Sequence, residues 1–340
     1  MNSNTDRRLH MGKIKEKNYY FYIDFLKIMA VLLIINSHMD SIYPISSLAT
    51  GGSMGNALFF VTSGFLLRGK RKDARFFAKT IVKLYVSVYI VTLLLMYQPG
   101  KNFFLQFIWP TNFWFVGAIL LFYGFYALLE KWKVFAHYPL FLACTAAVYF
   151  IVYFAVLDTS QWVVEAEGLH DAASCFKLIY YFAVMITGGL IRECSFSHKK
   201  VMMARIGWIA SFVLLYGSKF IMDKNSAWMH WQFTSQFFTF LFAVLMLIAS
   251  TESDIIQRVE KKQSLANVIK YVSSASLELY LVQFAMIYFC QGRFPFPVSF
   301  VFAIALIFLS AISLKVLIEK SAQFIERLTL KVRRRTNENS

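Results

Sequence analysis

The sequence predicts an all-α fold, a polytopic membrane helix bundle with about ten transmembrane helices and both termini in the cytoplasm. Three observations predict it. First, 58% of the 340 residues are hydrophobic, 18% are aromatic and only 16% are charged, where soluble chains carry about 25% charged residues. So much apolar surface cannot be hidden in one globular core. A soluble enzyme, a disordered chain, a collagen-like repeat and a disulfide scaffold are thereby excluded. Second, apolar stretches of about 20 residues, the length that crosses about 30 Å of hydrocarbon, recur along the whole chain. Third, Lys and Arg alternate between the gaps. With the N-terminus inside, 27 fall in inner segments and 3 in outer ones, as membrane orientation requires.

The stretches follow in order. Residues 25–43 form the first. A cleaved leader is not expected there, because the polar Asn36-Ser37-His38 follows the apolar Ile28–Ile35 and Ala49 lies far beyond. Residues 51–67 are short and rich in Gly and Ser, a composition that leaves room for a break or a re-entrant turn. The basic run Arg68 to Lys79 then precedes 80–97. Span 113–129 ends at Lys131 and Lys133, and 137–157 leads to an outer loop with Glu165, Glu167 and Asp171. Span 175–191 is closed by Arg192, Lys199, Lys200 and Arg205, and 204–222 by the outer Lys224. Span 231–250 precedes the inner Arg258, Lys261, Lys262 and Lys270. Spans 271–290 and 297–318 flank Arg293, and a basic tail follows. An open sheet could not satisfy its backbone in lipid, so no strand reading competes. The organisation is a basic cytoplasmic tail over 1–22, a membrane domain over 23–320 and a second basic tail over 321–340. No loop is large enough for a separate catalytic domain.

The net charge of +16 does not imply a nucleic-acid partner, because the cations sit between apolar runs rather than on a polar domain. Cys144, Cys175, Cys194 and Cys290 have no zinc or redox spacing and read as small apolar helix residues. No metal is expected.

Ionisable residues inside spans are expensive and point to function. The first span holds Asp24, Lys27 and His38. Lys27 and His38 are eleven residues apart, so they share a helix face about 16 Å apart along the axis. His38 is the one histidine well inside a span; a buried structural histidine is the competing reading. Lys83 lies within the third span, where orientation alone does not require a cation, and it continues the one-face stripe Arg68, Lys72, Arg75, Lys79. For Arg68 to Lys72, orientation is the simpler explanation. Glu278 is a carboxylate in the ninth span. It either orients His38 or pairs with Lys315 or a buried Tyr. The outer Trp109, Trp114, Trp162, Trp228 and Trp231 suit sugar stacking, but an interfacial aromatic belt explains them more simply.

Ile23-Asp24-Phe25-Leu26-Lys27 with Asn36-Ser37-His38 resembles the opening motif of the acyltransferase 3 family, integral membrane O-acyltransferases of cell-surface glycans. Leu58-Phe59-Phe60-Val61-Thr62-Ser63-Gly64 resembles its aromatic and Ser-Gly signature. Arg75, Lys79 and Lys83 resemble its basic third helix, Asn112-Phe113-Trp114-Phe115 its Trp-Phe motif, and Ser276 to Gln283 its Ser and Tyr motif. The family usually carries Arg where Lys27 stands and often His where Gln283 stands. Its upstream Arg is absent, since 19–22 reads Tyr-Tyr-Phe-Tyr.

The resemblance implies transfer of an acyl group, most often acetyl, from cytoplasmic acetyl-CoA or another acyl-CoA to a hydroxyl of a cell-surface or secreted glycan at the cell membrane. His38 is then the general base, or the nucleophile that carries the acyl group. Lys27, Lys83, Lys79 and Arg75 are the donor-binding candidates, held to phosphates by charge-assisted bonds. Asn112, Trp114 and Tyr280 are the candidates for acceptor or thioester contacts. The partners implied are the lipid bilayer, acyl-CoA and a glycan acceptor, and a homo-oligomer is compatible with the sequence. A transporter or flippase, or a non-catalytic partner of a polysaccharide synthase, is the alternative. The shared face of Lys27 and His38 favours the enzyme.

Overall fold

The computed structural model describes residues 19–338 except 71, 101, 109–112, 165–167 and 170. The residues Arg7, Arg8, His10, Lys13, Lys15, Lys17, Arg71, Lys101, Trp109, Asn112, Glu165, Glu167 and His170 lie outside the described residues.

Among the described residues the chain forms twelve α-helices and no strand. They are α1 (Phe21–Ser37), α2 (Gly52–Leu67), α3 (Ala74–Val91), α4 (Trp114–Lys131), α5 (Tyr138–Ala155) and α6 (Ala172–Ile191). There follow α7 (His198–Lys224), α8 (Phe233–Ser250), α9 (Asp254–Lys261), α10 (Gln263–Ser274), α11 (Ser276–Cys290) and α12 (Val298–Glu338). Each of the ten apolar stretches carries a helix. Seven helices are long and apolar enough to cross a bilayer, and the bent pair α10 and α11 makes an eighth. Helices α1 and α2 have 17 and 16 residues, or about 24 Å of rise, short of a full hydrocarbon crossing. The chain is a multi-pass membrane helix bundle.

Burial sorts the helices into an inner and an outer set. Apolar residues of α1, α2, α4, α6, α8, α11 and α12 merge into one core around Leu26, Ile34, Leu58, Phe60, Val184 and Leu281. By contrast α5 buries only Tyr153, and α7 leaves Ile206, Val213 and Phe220 exposed. An apolar outer surface is what a hydrocarbon solvent requires, whereas water would penalise it.

The tightest packing is between α2 and α6. A methyl group on Gly64 would stand 1.7 Å from the Met185 carbonyl oxygen, and one on Gly188 would stand 1.9 Å from that of Val61. Only glycine lets two backbones approach this closely, a common device where helices meet in membranes. At the end of this pair, Arg68 bonds Glu130 at 2.9 Å and Glu193 at 2.5 Å. Lys72 also pairs with Glu130. Arg192 donates to the Phe65 carbonyl at 3.0 Å. Arg68 and Lys72, beyond their part in membrane orientation, thus also tie α2 to α4 and α6.

The second stretch is an unbroken helix. The break falls instead in the ninth, where α10 and α11 meet at 68°. There Lys27 Nζ donates to the Ser273 carbonyl at 3.1 Å, and the Ser273 hydroxyl donates to Asp24 at 2.6 Å. Lys315 donates to the Ser274 hydroxyl. A carbonyl freed by the bend must find a donor inside the protein, and α1 and α12 supply the polar side chains that hold it.

Candidate active site

Two cavities lie along the same set of helices. The first begins at His38, the residue that ends α1, with φ −99° and ψ 4°. Its ring packs against Phe284 of α11 with centroids 4.4 Å apart. The chain after His38 is folded back by Asn36, whose amide donates to the carbonyls of Leu48 and Thr50 at 2.9 Å each. The Tyr43 hydroxyl donates to the Asn36 side-chain oxygen at 2.5 Å. This loop closes over a cavity of about 530 Å³. Its walls include His38, Trp114, Tyr280, Asn56, Lys177 and Lys219.

The second cavity, of about 420 Å³, is lined by Lys27, Lys70, Lys79 and Lys83 together with Thr62, Ser63 and Tyr123. Four lysines in one cleft concentrate positive charge there. Arg75 is exposed and is not among these lining residues.

The separation of the cavities follows from helix rise. Lys27 and His38 are about 16 Å apart along α1, and Asn56 and Ser63 about 10 Å apart along α2. Phe59 stands on the same face of α2, midway between Asn56 and Ser63. It packs against Phe115 with centroids 5.5 Å apart, and Phe115 packs against Tyr280 at 5.3 Å. Ala30 and Val31 of α1 are fully buried at the same level. A layer of aromatic and apolar side chains thus divides the cationic cavity from the His38 cavity.

The predicted site residues therefore fall into two groups. His38, Trp114 and Tyr280 line one cavity, and Lys27, Lys79 and Lys83 the other. Asn112 lies outside the described residues. Glu278 is 1% exposed and does not line the His38 cavity. It stands two residues, about 160° around α11, from Tyr280, which does. Its charged neighbours are Lys27, Lys83, Lys315 and the carboxylate of Glu319, and its Oε2 has no hydrogen-bond partner among the described residues.

Sequence reasoning missed Lys177, Lys219 and Asn56 in the first cavity, and took Lys70 of the second only as an orientation residue. The signal for the first two was present. Both fall inside spans, in 175–191 and 204–222, where a cation needs a reason. They escaped notice because they belong to no motif.

The profile of the acyltransferase domain family matches residues 20–319 of this chain. No curated protein and no solved structure matches it. A match over most of the chain, joined to a multi-pass helix bundle, defines a membrane acyltransferase. The chain belongs to the acyltransferase 3 family.

Proposed function

We propose that this acyltransferase moves an acetyl group from cytoplasmic acetyl-CoA to a hydroxyl of a cell-surface or secreted glycan, across ten spans with both termini in the cytoplasm. The observation that carries the reading is the stacking of a four-lysine cavity and a histidine cavity along α1, α2, α4 and α11. The excess of Lys and Arg in alternate loops supports the orientation. The membrane domain is 23–320, with basic tails on either side.

In this reading the phosphates of the donor bind Lys27, Lys79 and Lys83, with Arg75 at the approach. The pantetheine arm carries the thioester past Phe59 and Tyr280 toward His38. The acceptor enters from the outer side, with Trp114 and Asn112 among its contacts. His38 removes the proton of the acceptor hydroxyl as that oxygen attacks the thioester carbonyl carbon. Tyr280 is the donor nearest to hand for the oxyanion that forms. The carbon–sulfur bond then breaks, the thiolate takes the proton from the imidazolium, and free coenzyme A returns to the cytoplasm. Glu278 acts on the donor side, where its negative charge limits the repulsion among the surrounding lysines.

The test is mass spectrometry of the cell-surface glycan from cells carrying wild-type protein, His38→Gln protein or none. An amide can hydrogen-bond but cannot accept the proton, so His38→Gln is expected to lose about 10²–10⁴ in rate at unchanged membrane level. Normal acetylation by His38→Gln would remove the general-base role. Identical glycans with and without the gene would remove the acetyltransferase reading.

A further inference from the structure

Phe284 of α11 stands between two spaces. On one side its ring packs on the imidazole of His38, with centroids 4.4 Å apart, and lines the cavity of about 530 Å³. On the other side it lines a groove of about 500 Å³ together with Ser41, Leu95, Met96, Ile287 and Tyr288. Among the described residues it alone borders both. The groove runs on along Leu94, Met286 and Phe289 into a further space of about 660 Å³. It lies where α3 gives way to a π-helical turn over Thr92–Met96. Its flanks are open, with Tyr288 80% and Leu94 70% exposed. In a membrane helix bundle such an apolar flank faces hydrocarbon.

Acyl transfer fixes what surrounds His38. The acceptor hydroxyl must stand within hydrogen-bond reach of the imidazole, and the thioester carbonyl carbon must touch that hydroxyl oxygen. The sulfur leaves toward the donor side and the acceptor comes from the outer side. The alkyl end of the acyl group is left to the walls around the imidazole. Ser37, Ser53, Asn56 and the Tyr280 hydroxyl make much of that wall polar. An alkyl chain laid on them would strip them of water without replacing its hydrogen bonds. Of the apolar walls, Phe284 is in contact with the imidazole. Ile34 stands one turn before His38 on α1, but it is 2% exposed and has the core behind it. Phe284 has the groove behind it.

We propose that Phe284 sets the length of the acyl group: its ring seats the methyl of an acetyl group beside His38 and stops longer chains from entering the groove behind it. The proposal rests on the acyl-transfer reading. The bond exchange is the same for every chain length. The acceptor oxygen bonds the carbonyl carbon, the carbon–sulfur bond breaks, and the hydroxyl proton ends on the thiol of coenzyme A. The alkyl end takes no part, so its length is chosen by fit alone. One methylene that a pocket refuses changes the choice between substrates about 10- to 200-fold. The test gives cell envelopes that carry the full-length protein an equal mixture of acetyl-, butyryl- and hexanoyl-CoA. Mass spectrometry then counts the acyl groups attached to the glycan. Competition in one tube reads the ratio of kcat/KM between donors, which general damage to the protein does not move.

Wild type is expected to transfer acetyl at least about a hundredfold in preference to hexanoyl. Phe284→Ala should raise the hexanoyl-to-acetyl ratio at least about tenfold, and the milder Phe284→Leu should raise the butyryl-to-acetyl ratio. Leu95 lines the groove and not the His38 cavity. Leu95→Trp should therefore leave wild-type acetyl transfer alone, and in the Phe284→Ala protein it should refill the groove and bring the ratio back down. Hexanoyl transfer by wild type as ready as acetyl transfer would overturn the proposal. So would unchanged ratios in both Phe284 variants, or a gain that Leu95→Trp does not reverse; acetyl transfer by wild type would still stand in each case. Loss of all transfer in both Phe284 variants would mean that the ring serves the histidine and not the chain, and would overturn it as well. No acyl group on the glycan with wild type, from any of the three donors, would remove the acyl-transfer reading itself.

Discussion

Lys27 and Lys83 read alike in sequence, as cations inside spans near the inner face. They differ in what they touch. Lys83 faces the cationic cavity, whereas Lys27 faces it and also holds the Ser273 carbonyl at the break between α10 and α11. Lys83→Leu is therefore the cleaner probe of donor binding. It is expected to raise the apparent KM for the acyl-CoA about ten- to a hundredfold, from the loss of about 1.5–3 kcal/mol in a charge-assisted bond. Turnover at saturating donor should fall far less than in His38→Gln. Lys27→Ala should show the same KM effect together with lower thermal stability, and Lys27→Arg should restore both. A steady-state titration with acyl-CoA on membranes reads these outcomes, and an unchanged KM in Lys83→Leu would remove the donor-site assignment. Much of this was legible. Lys27 and His38 stand out from one helix period, and Lys83 from its depth. What was not legible is which charges meet across the bundle. Glu278 was a candidate partner of His38 because both are ionisable residues inside apolar stretches. The turn of α11 aims it the other way, and that depends on packing rather than on spacing.

At the scale of elements, each of the ten apolar stretches carries a helix, and seven of these helices, or eight spans with the bent pair, have the length and apolarity that lipid imposes on a crossing. The stretch whose composition left room for a break, 51–67, is a continuous helix of 16 residues, and the bend lies in the ninth stretch. The Gly and Ser of 51–67 suggested an interruption, yet those small residues serve close packing, as Gly64 does against Met185. The real break sits at Ser273 and Ser274, held by Asp24, Lys27 and Lys315 from helices far away in sequence. Local composition carries no trace of such cross-links. The two uses of glycine can be separated by substitution. Gly64→Ala puts a methyl group 1.7 Å from a backbone oxygen, so the helices must move apart, at about 3 kcal/mol or more. Gly124→Ala on α4 meets nothing within 4 Å and gains helix propensity of about 0.8–1 kcal/mol. Thermal unfolding in detergent should show a lower midpoint for the first and an equal or higher one for the second. Equal midpoints for wild type and Gly64→Ala would mean that α2 and α6 do not pack this closely.

The whole molecule reads as two compartments joined through a packed layer, and both its orientation and that layer can be tested. For orientation, single cysteines are introduced into a protein whose four native cysteines have been replaced. An impermeant thiol reagent applied to intact cells should label Asp171→Cys and not Lys262→Cys. Labelling at 262 would reverse the sides of donor and acceptor. For the layer, Phe59 is the informative position, because it lies between Asn56 of one cavity and Ser63 of the other and packs on Phe115. If the thioester arm crosses here, the donor's phosphates bind below Phe59 and its reactive end must pass it. Phe59→Trp would then obstruct the arm without touching the phosphates. Its turnover is expected to fall at least about tenfold, which corresponds to 1.4 kcal/mol on the barrier, with the KM for acyl-CoA nearly unchanged. Phe59→Ala acts in the opposite sense. Removing the ring opens the layer to water as well as to the arm, so thioester hydrolysis in the absence of acceptor should rise above the wild-type background. The two variants together separate passage from simple destabilisation, since a merely damaged protein loses turnover without gaining hydrolysis. Wild-type turnover in a well-folded Phe59→Trp protein would mean that the donor reaches His38 by another route.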